Sequence, residues 1–222
     1  MDKDAPRGDA AICTFEVPML NVAIVGIDGA GKTSLARALA ERSAVHGRSP
    51  VVVKSRRKTL GNQVWEALAL SKEAENSLAV PVPHAAAFVC AMFLDMTADL
   101  RANTVDDASV IVWDRHLVCL AAYGVAMGLP ADFVRSLTRL GPRPDLVLWL
   151  DAPPSVARDR LLKRRTEQPI ESPDYLTALR AGYEVLLAGD PSAVRIDAEQ
   201  SAEVMLELAW TLVAARQTAT ER

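Results

Sequence analysis

The sequence predicts an α/β fold, a doubly wound parallel sheet of about five strands with helices on both faces and a short helical lid. Two observations carry the prediction. Residues 21–39, NVAIVGIDGAGKTSLARAL, pass from a short β-branched run through a glycine-rich loop into a run of strong helix formers. Along the rest of the chain, apolar runs of strand length alternate with longer stretches of helical composition, as in repeated strand–helix–strand units.

The first strand, Asn21 to Val25, is the continuous apolar run that a strand buried on both faces needs. Gly26-Ile27-Asp28-Gly29-Ala30-Gly31-Lys32-Thr33 then satisfies G-x-x-x-x-G-K-[ST] at every fixed position. Glycines allow backbone N–H groups to turn inward around an anion, and the following helix adds the partial positive charge of its N-terminus. Gly26, Asp28, Gly29, Ala30, Gly31, Lys32, Thr33 and Ser34 therefore form the candidate phosphate-binding set. The Lys32 ammonium can reach β- and γ-phosphates and the Thr33 hydroxyl can sit on Mg²⁺. A tight turn carrying an ordinary lysine is the competing reading; the strand before and the helix after favour the anion.

The first helix should run from Gly31 to about residue 46 and stop near Gly47, and Ser49-Pro50 leads into a second strand, Val51 to Lys54. A basic loop, Lys54-Ser55-Arg56-Arg57-Lys58, precedes a helix from Asn62 to about Ala79, and Pro81 and Pro83 break the chain. His84 to Asn103 reads as a long helix, Val110 to Trp113 as a third strand ending at Asp114, and 116–127 and 131–140 as helices. Pro144-Asp145 opens a fourth strand, Leu146 to Leu150; Pro153-Pro154 starts a helix carrying Arg158, Arg160, Lys163, Arg164 and Arg165. A helix over 174–187, a strand over 193–196 and an amphipathic helix over 201–215 complete the series. Residues 1–18 lack periodicity and read as a mobile N-terminal tail; 19–222 read as one domain, with the lid at about 158–174.

A net charge of −3 over 222 residues gives no general attraction to nucleic acid or to an anionic membrane. Cys13, Cys90 and Cys119 form neither a C-x-x-C pair nor a disulfide framework and read as small hydrophobes in a reducing compartment. The N-terminus is too polar for a signal peptide and no apolar run reaches membrane-span length, so the expectation is a soluble, cytoplasmic protein.

Two further constellations bear on chemistry. Asp114-Arg115-His116 sits where the third strand leaves the sheet, and open α/β sheets bind ligands at the carboxyl ends of their strands. Asp114 can hold the water shell of Mg²⁺ and Arg115 can clamp an acceptor phosphate or the transferring group; an ion pair closing a loop is the alternative. The arginines of 158–165 can swing onto a triphosphate from a lid, or simply form a solvated face.

GIDGAGKTS, DRHLVCLAAY, PDLVLWLDAPPSVARDRLLKRR, IESPDYLTALRAGY and VRIDAEQSAEV follow one another as they do in thymidylate kinases, and the chain resembles that family from Asn21 to its terminal helix. The resemblance implies a P-loop NTPase fold, ATP with Mg²⁺ as the phosphate donor, and a nucleoside monophosphate as the small-molecule acceptor. In such kinases the loop carboxylate, here Asp28, faces the acceptor sugar, and the Asp-Arg pair, here Asp114 and Arg115, lies between donor and acceptor. Position 29 is glycine, so the arginine's work falls by analogy to Arg160, Arg164 and Arg165 in the lid. Arg56, Arg57, Phe93, Arg115 and Tyr123 are the candidate acceptor-binding residues. The long helix is either core or, as the resemblance favours, a homodimer seam.

The chain also departs from the family's pattern. Lys54-Ser55-Arg56-Arg57 replaces an Arg-Glu-Pro-Gly run, Met92-Phe93-Leu94-Asp95 stands where an arginine is usual, and Cys119, Leu120 and Gly124 replace two serines and a glutamine. Gln168-Pro169 stands where the family's lid has its own Asp-Arg. These substitutions fall mostly on base recognition and leave the acceptor open, dTMP or another. The basic loop after the second strand holds cations and no acid, which suits an anionic acceptor that needs no deprotonation. A kinase for a nucleoside or other hydroxyl acceptor is the alternative, and a non-catalytic nucleotide-binding regulator is a second.

Overall fold

The computed structural model describes residues 19–54, 59–68, 80–102, 109–164 and 172–220. The expected tail, Arg56, Arg57, Arg165 and the outer part of the expected lid lie outside these residues. Strands β1 (Leu20–Val25), β2 (Pro50–Val53), β3 (Val110–Asp114), β4 (Leu146–Asp151) and β5 (Ala193–Asp197) form one parallel sheet in the order β2-β3-β1-β4-β5. The helices are α1 (Lys32–Val45), α2 (Thr59–Ala67), α3 (Val82–Ala102), α4 (Leu117–Ala126), α5 (Ala131–Thr138), α6 (Pro154–Lys163), α7 (Pro173–Leu187) and α8 (Ala202–Thr220). This is the doubly wound parallel architecture expected of a P-loop NTPase.

Sequence and burial agree strand by strand. β3 and β4 are buried at every residue and β1 at all but Asn21, which is why they read as unbroken apolar runs rather than alternating ones. β2 and β5 are the edges and keep exposed positions such as Val52 and Arg195. α1 and α8 pack together over β1, while α3, α4, α5 and α7 form a second packed layer. Ile24 pairs with Asp114, and Val53 with Trp113, so β1, β2 and β3 end nearly level. That common edge is where the charged side chains collect.

Several boundaries shift for physical reasons. α3 starts at Val82, with Pro83 inside its first turn rather than before it. A first-turn N–H has no intrahelical acceptor, so proline costs nothing there. α2 begins three residues before the expected Asn62, and the expected continuation over 69–79 lies outside the described residues. β2 ends at Val53, leaving Lys54 as the first residue of the loop.

Candidate active site

The loop between β1 and α1 is shaped by glycine where nothing else fits. Gly26 has φ 142°, and a Cβ there would lie 2.4 Å from the Leu150 carbonyl oxygen of β4. Gly29 has φ 88°, and its Cβ would lie 2.3 Å from the Ala157 carbonyl oxygen of α6. The loop thus lies flush against neighbouring backbone, and no side chain can project from position 29 without moving α6. α1 opens with no side-chain cap and no acid in its first turn, its first backbone bond running from Leu35 N–H to Gly31 O. The N–H groups of Lys32, Thr33 and Ser34 remain for an anion.

Lys32 is buried and folded over the loop, its ammonium donating to Gly26 O at 2.9 Å, Ile27 O at 2.7 Å and Asp28 Oδ1 at 3.1 Å. Burial draws its pKa below the usual lysine value, and the Asp28 carboxylate offsets part of that. Asp28 also receives an ion-paired hydrogen bond from Arg115. Tyr183 of α7 pins the loop from the far side, its hydroxyl donating to Gly26 O at 3.1 Å.

At the end of β3 a second cluster forms. The Thr33 hydroxyl donates to Asp114 Oδ2 at 2.7 Å, and the Lys54 ammonium stands 3.2 Å from the same oxygen. Asp114 is buried, and its Oδ1 has no hydrogen-bond partner among the described residues. A hydroxyl beside a half-satisfied carboxylate is an all-oxygen donor set suited to a hard divalent cation such as Mg²⁺. Arg115 carries φ 81°, the one positive φ of a non-glycine among the described residues. Its guanidinium is drawn down by burial and raised further by Asp28, so it stays charged. His116 follows, buried, with Nε2 3.1 Å from the Pro142 carbonyl. A carbonyl only accepts, so Nε2 carries the proton and Nδ1 is left without a partner among the described residues; burial lowers this imidazole's pKa to about 4.

Beside the loop lies a cavity of about 360 Å³. Leu35, Ala38 and Met205 supply apolar wall, and Arg160 and Arg164 stand on its rim. Arg160 is held there by a 2.8 Å hydrogen bond to the Ala198 carbonyl beyond β5. The structure therefore brings two of the three lid arginines to the loop, and the third lies outside the described residues.

On the other side, α2, α3, α4 and α7 contribute a chain of edge-to-face rings. Trp65 to Phe88 is 4.9 Å, Phe88 to Tyr123 6.0 Å and Tyr123 to Tyr175 5.7 Å between centroids. Tyr123 stands in this half-buried row as a candidate acceptor contact. Phe93 does not: it is fully enclosed in the core, because its helical phase turns it inward while Phe88 keeps an open edge. Tyr183 and Phe88 are not singled out by the sequence. Lys54 lay in a recognised basic loop, but nothing local says which lysine reaches Asp114.

The fold and this site define a P-loop phosphotransferase. The sequence model of the family described as "Thymidylate kinase" matches residues 24–208. A thymidylate kinase of Xylella fastidiosa is 34% identical over 197 residues, covering 86% of this chain and 89% of that protein. One of Xanthomonas campestris is 32% identical over 200 residues, with 88% and 83% covered. An Archaeoglobus fulgidus protein named "Probable thymidylate kinase" is 30% identical over 191 residues, with 84% and 90% covered. The chain belongs to the thymidylate kinase family.

Proposed function

We propose that the chain transfers the γ-phosphoryl group of ATP to a nucleoside monophosphate, with an acceptor that need not be dTMP. The observation that carries this is the alignment, on one sheet edge, of the amide-lined loop with the Asp28–Arg115 and Thr33–Asp114 pairs. The triphosphate lies in the loop, its base enters the cavity edged by Arg160, and Lys32 turns from its carbonyl partners to the phosphate oxygens. Thr33 and Asp114 hold Mg²⁺, which when bound neutralises triphosphate charge. Arg115 and the basic residues after β2 receive the acceptor's phosphate, and Arg164, with Arg165 and Arg160, supplies positive charge from the lid.

The acceptor's base lies against the aromatic row of Phe88, Tyr123 and Tyr175. Leu120 stands where the family's pattern has a serine and Met92-Phe93-Leu94-Asp95 where it has an arginine, which is the support for an acceptor other than dTMP. A hydroxyl acceptor fits less well, since the Asp28 carboxylate, one of the two candidate bases for it, is ion-paired with Lys32 and Arg115. Residues 19–222 act as one domain in this reading, with a lid over about 158–174. Two copies pair through α3, where Pro83, Ala87, Leu94 and Ala98 recur on an exposed face. No helix among the described residues is long and apolar enough to cross a membrane.

A coupled ADP-release assay across nucleoside monophosphates and nucleosides tests the reading. Turnover with a monophosphate and none with nucleosides is expected; the reverse would replace it with the hydroxyl-acceptor kinase. Sedimentation at micromolar concentration tests the pairing, and a monomer would remove it.

A further inference from the structure

The β2–β3 register sets Val53 against Trp113, so the next residues, Lys54 and Asp114, end side by side. Lys54 Nζ stands 3.2 Å from Asp114 Oδ2 and 3.3 Å from Thr33 Oγ1. Those are the two side chains whose oxygens the proposed phosphate site offers to a divalent cation. We propose that Lys54 is a resident cation in the metal's place, holding Thr33 and Asp114 ready in the nucleotide-free enzyme and competing with Mg²⁺ for them. The inference rests on the reading of the loop as a nucleoside triphosphate site.

Three features support it. Asp114 is almost wholly buried, and a buried carboxylate with no cation is costly. Lys54 neutralises it from a side chain 38% exposed, so the ammonium can return to water without itself being stranded. Mg²⁺ requires near-octahedral oxygens at about 2.0–2.1 Å and accepts little distortion. An ammonium donating to the same hydroxyl and carboxylate must therefore withdraw as the metal enters. Lys54 is on this account a positioning residue, and it makes the enzyme more tolerant of metal-free nucleotide and less avid for Mg²⁺.

The test is Lys54→Met, which keeps the stem and removes the charge, with Lys54→Arg as the charge-retaining control. Without nucleotide, Lys54→Met should melt earlier than wild type, and saturating Mg²⁺ with a non-hydrolysable ATP analogue should erase the difference. Calorimetry should show Mg²⁺ binding to the Lys54→Met analogue complex roughly tenfold or more tighter, and metal-free analogue binding weaker by a similar factor. Lys54→Arg should follow wild type in both. Unchanged Mg²⁺ affinity together with unchanged metal-free affinity would overturn the proposal. Should Lys54→Met not fold, the wild type decides: analogue binding that persists in EDTA supports the proposal, and its complete loss there overturns it. If the analogue binds to no variant with or without Mg²⁺, the triphosphate reading itself has failed.

Discussion

Arg115 offers a prediction whose sign runs against the usual rule. Its backbone is held at φ 81°, a left-handed conformation that costs a residue with a Cβ about 1–2 kcal/mol. Its side chain is 40% exposed, so the ion pair with Asp28 contributes no more than about 1 kcal/mol to stability. Arg115→Ala and Arg115→Gly lose that pair equally, but only glycine also releases the strain. Glycine's extra freedom in the unfolded chain returns roughly 0.4–1 kcal/mol of the gain. The glycine variant should therefore be the more stable by roughly 0.5–1 kcal/mol, where glycine elsewhere is the weaker choice by a similar amount. In a chain of this size that is a difference of about 1–4 °C in Tm, readable by calorimetry or urea unfolding. Both variants should raise the acceptor KM more than the ATP KM. An alanine variant as stable as the glycine variant would refute the strain, and a selective rise in the ATP KM would move Arg115 to the donor side.

Lys32→Ala removes a charged hydrogen bond worth about 1.5–3 kcal/mol, so if the contact matters mainly in the transition state the rate should fall roughly 10- to 150-fold; near wild-type turnover would remove Lys32 from the chemistry. Gly29→Ala must place a Cβ 2.3 Å from the Ala157 carbonyl at φ 88°, and should lower stability by about 1–3 kcal/mol and weaken ATP binding, measured by unfolding and calorimetry. His116 has a folded-state pKa of about 4 against an ordinary 6.5. Its contribution to stability is therefore complete above pH 6.5 and falls as the pH drops toward about 4, by up to about 3 kcal/mol. His116→Gln, which keeps a donor for Pro142, should flatten that part of the stability–pH curve; an unchanged slope would contradict the burial assignment.

Much of the fold was legible because parallel strands buried on both faces must be apolar throughout, and β1, β3 and β4 have little freedom to be anything else. The loop was legible because its spacing is itself the geometry, Gly26 and Gly29 standing where the backbone meets neighbouring backbone and Gly31 where φ is 101°. Contacts made across the sheet edge were not. Tyr183 reaches Gly26 over 157 residues and Lys54 reaches Thr33 over 21, and neither leaves a local mark. Phe93 shows the limit of resemblance: within a 21-residue helix, a few positions turn a side chain from cleft to core, and phase is set by packing against the sheet. The left-handed backbone at Arg115 is likewise invisible in a sequence where glycine would have announced it.

The central claim is that the main-chain amides between β1 and α1, with Lys32, grip a nucleoside triphosphate. Titration calorimetry of the full chain with ATP in the presence of Mg²⁺ tests it most directly. A single saturable site, weakened in Lys32→Ala, is the expected result; no heat with ATP or any other nucleoside triphosphate would contradict the account.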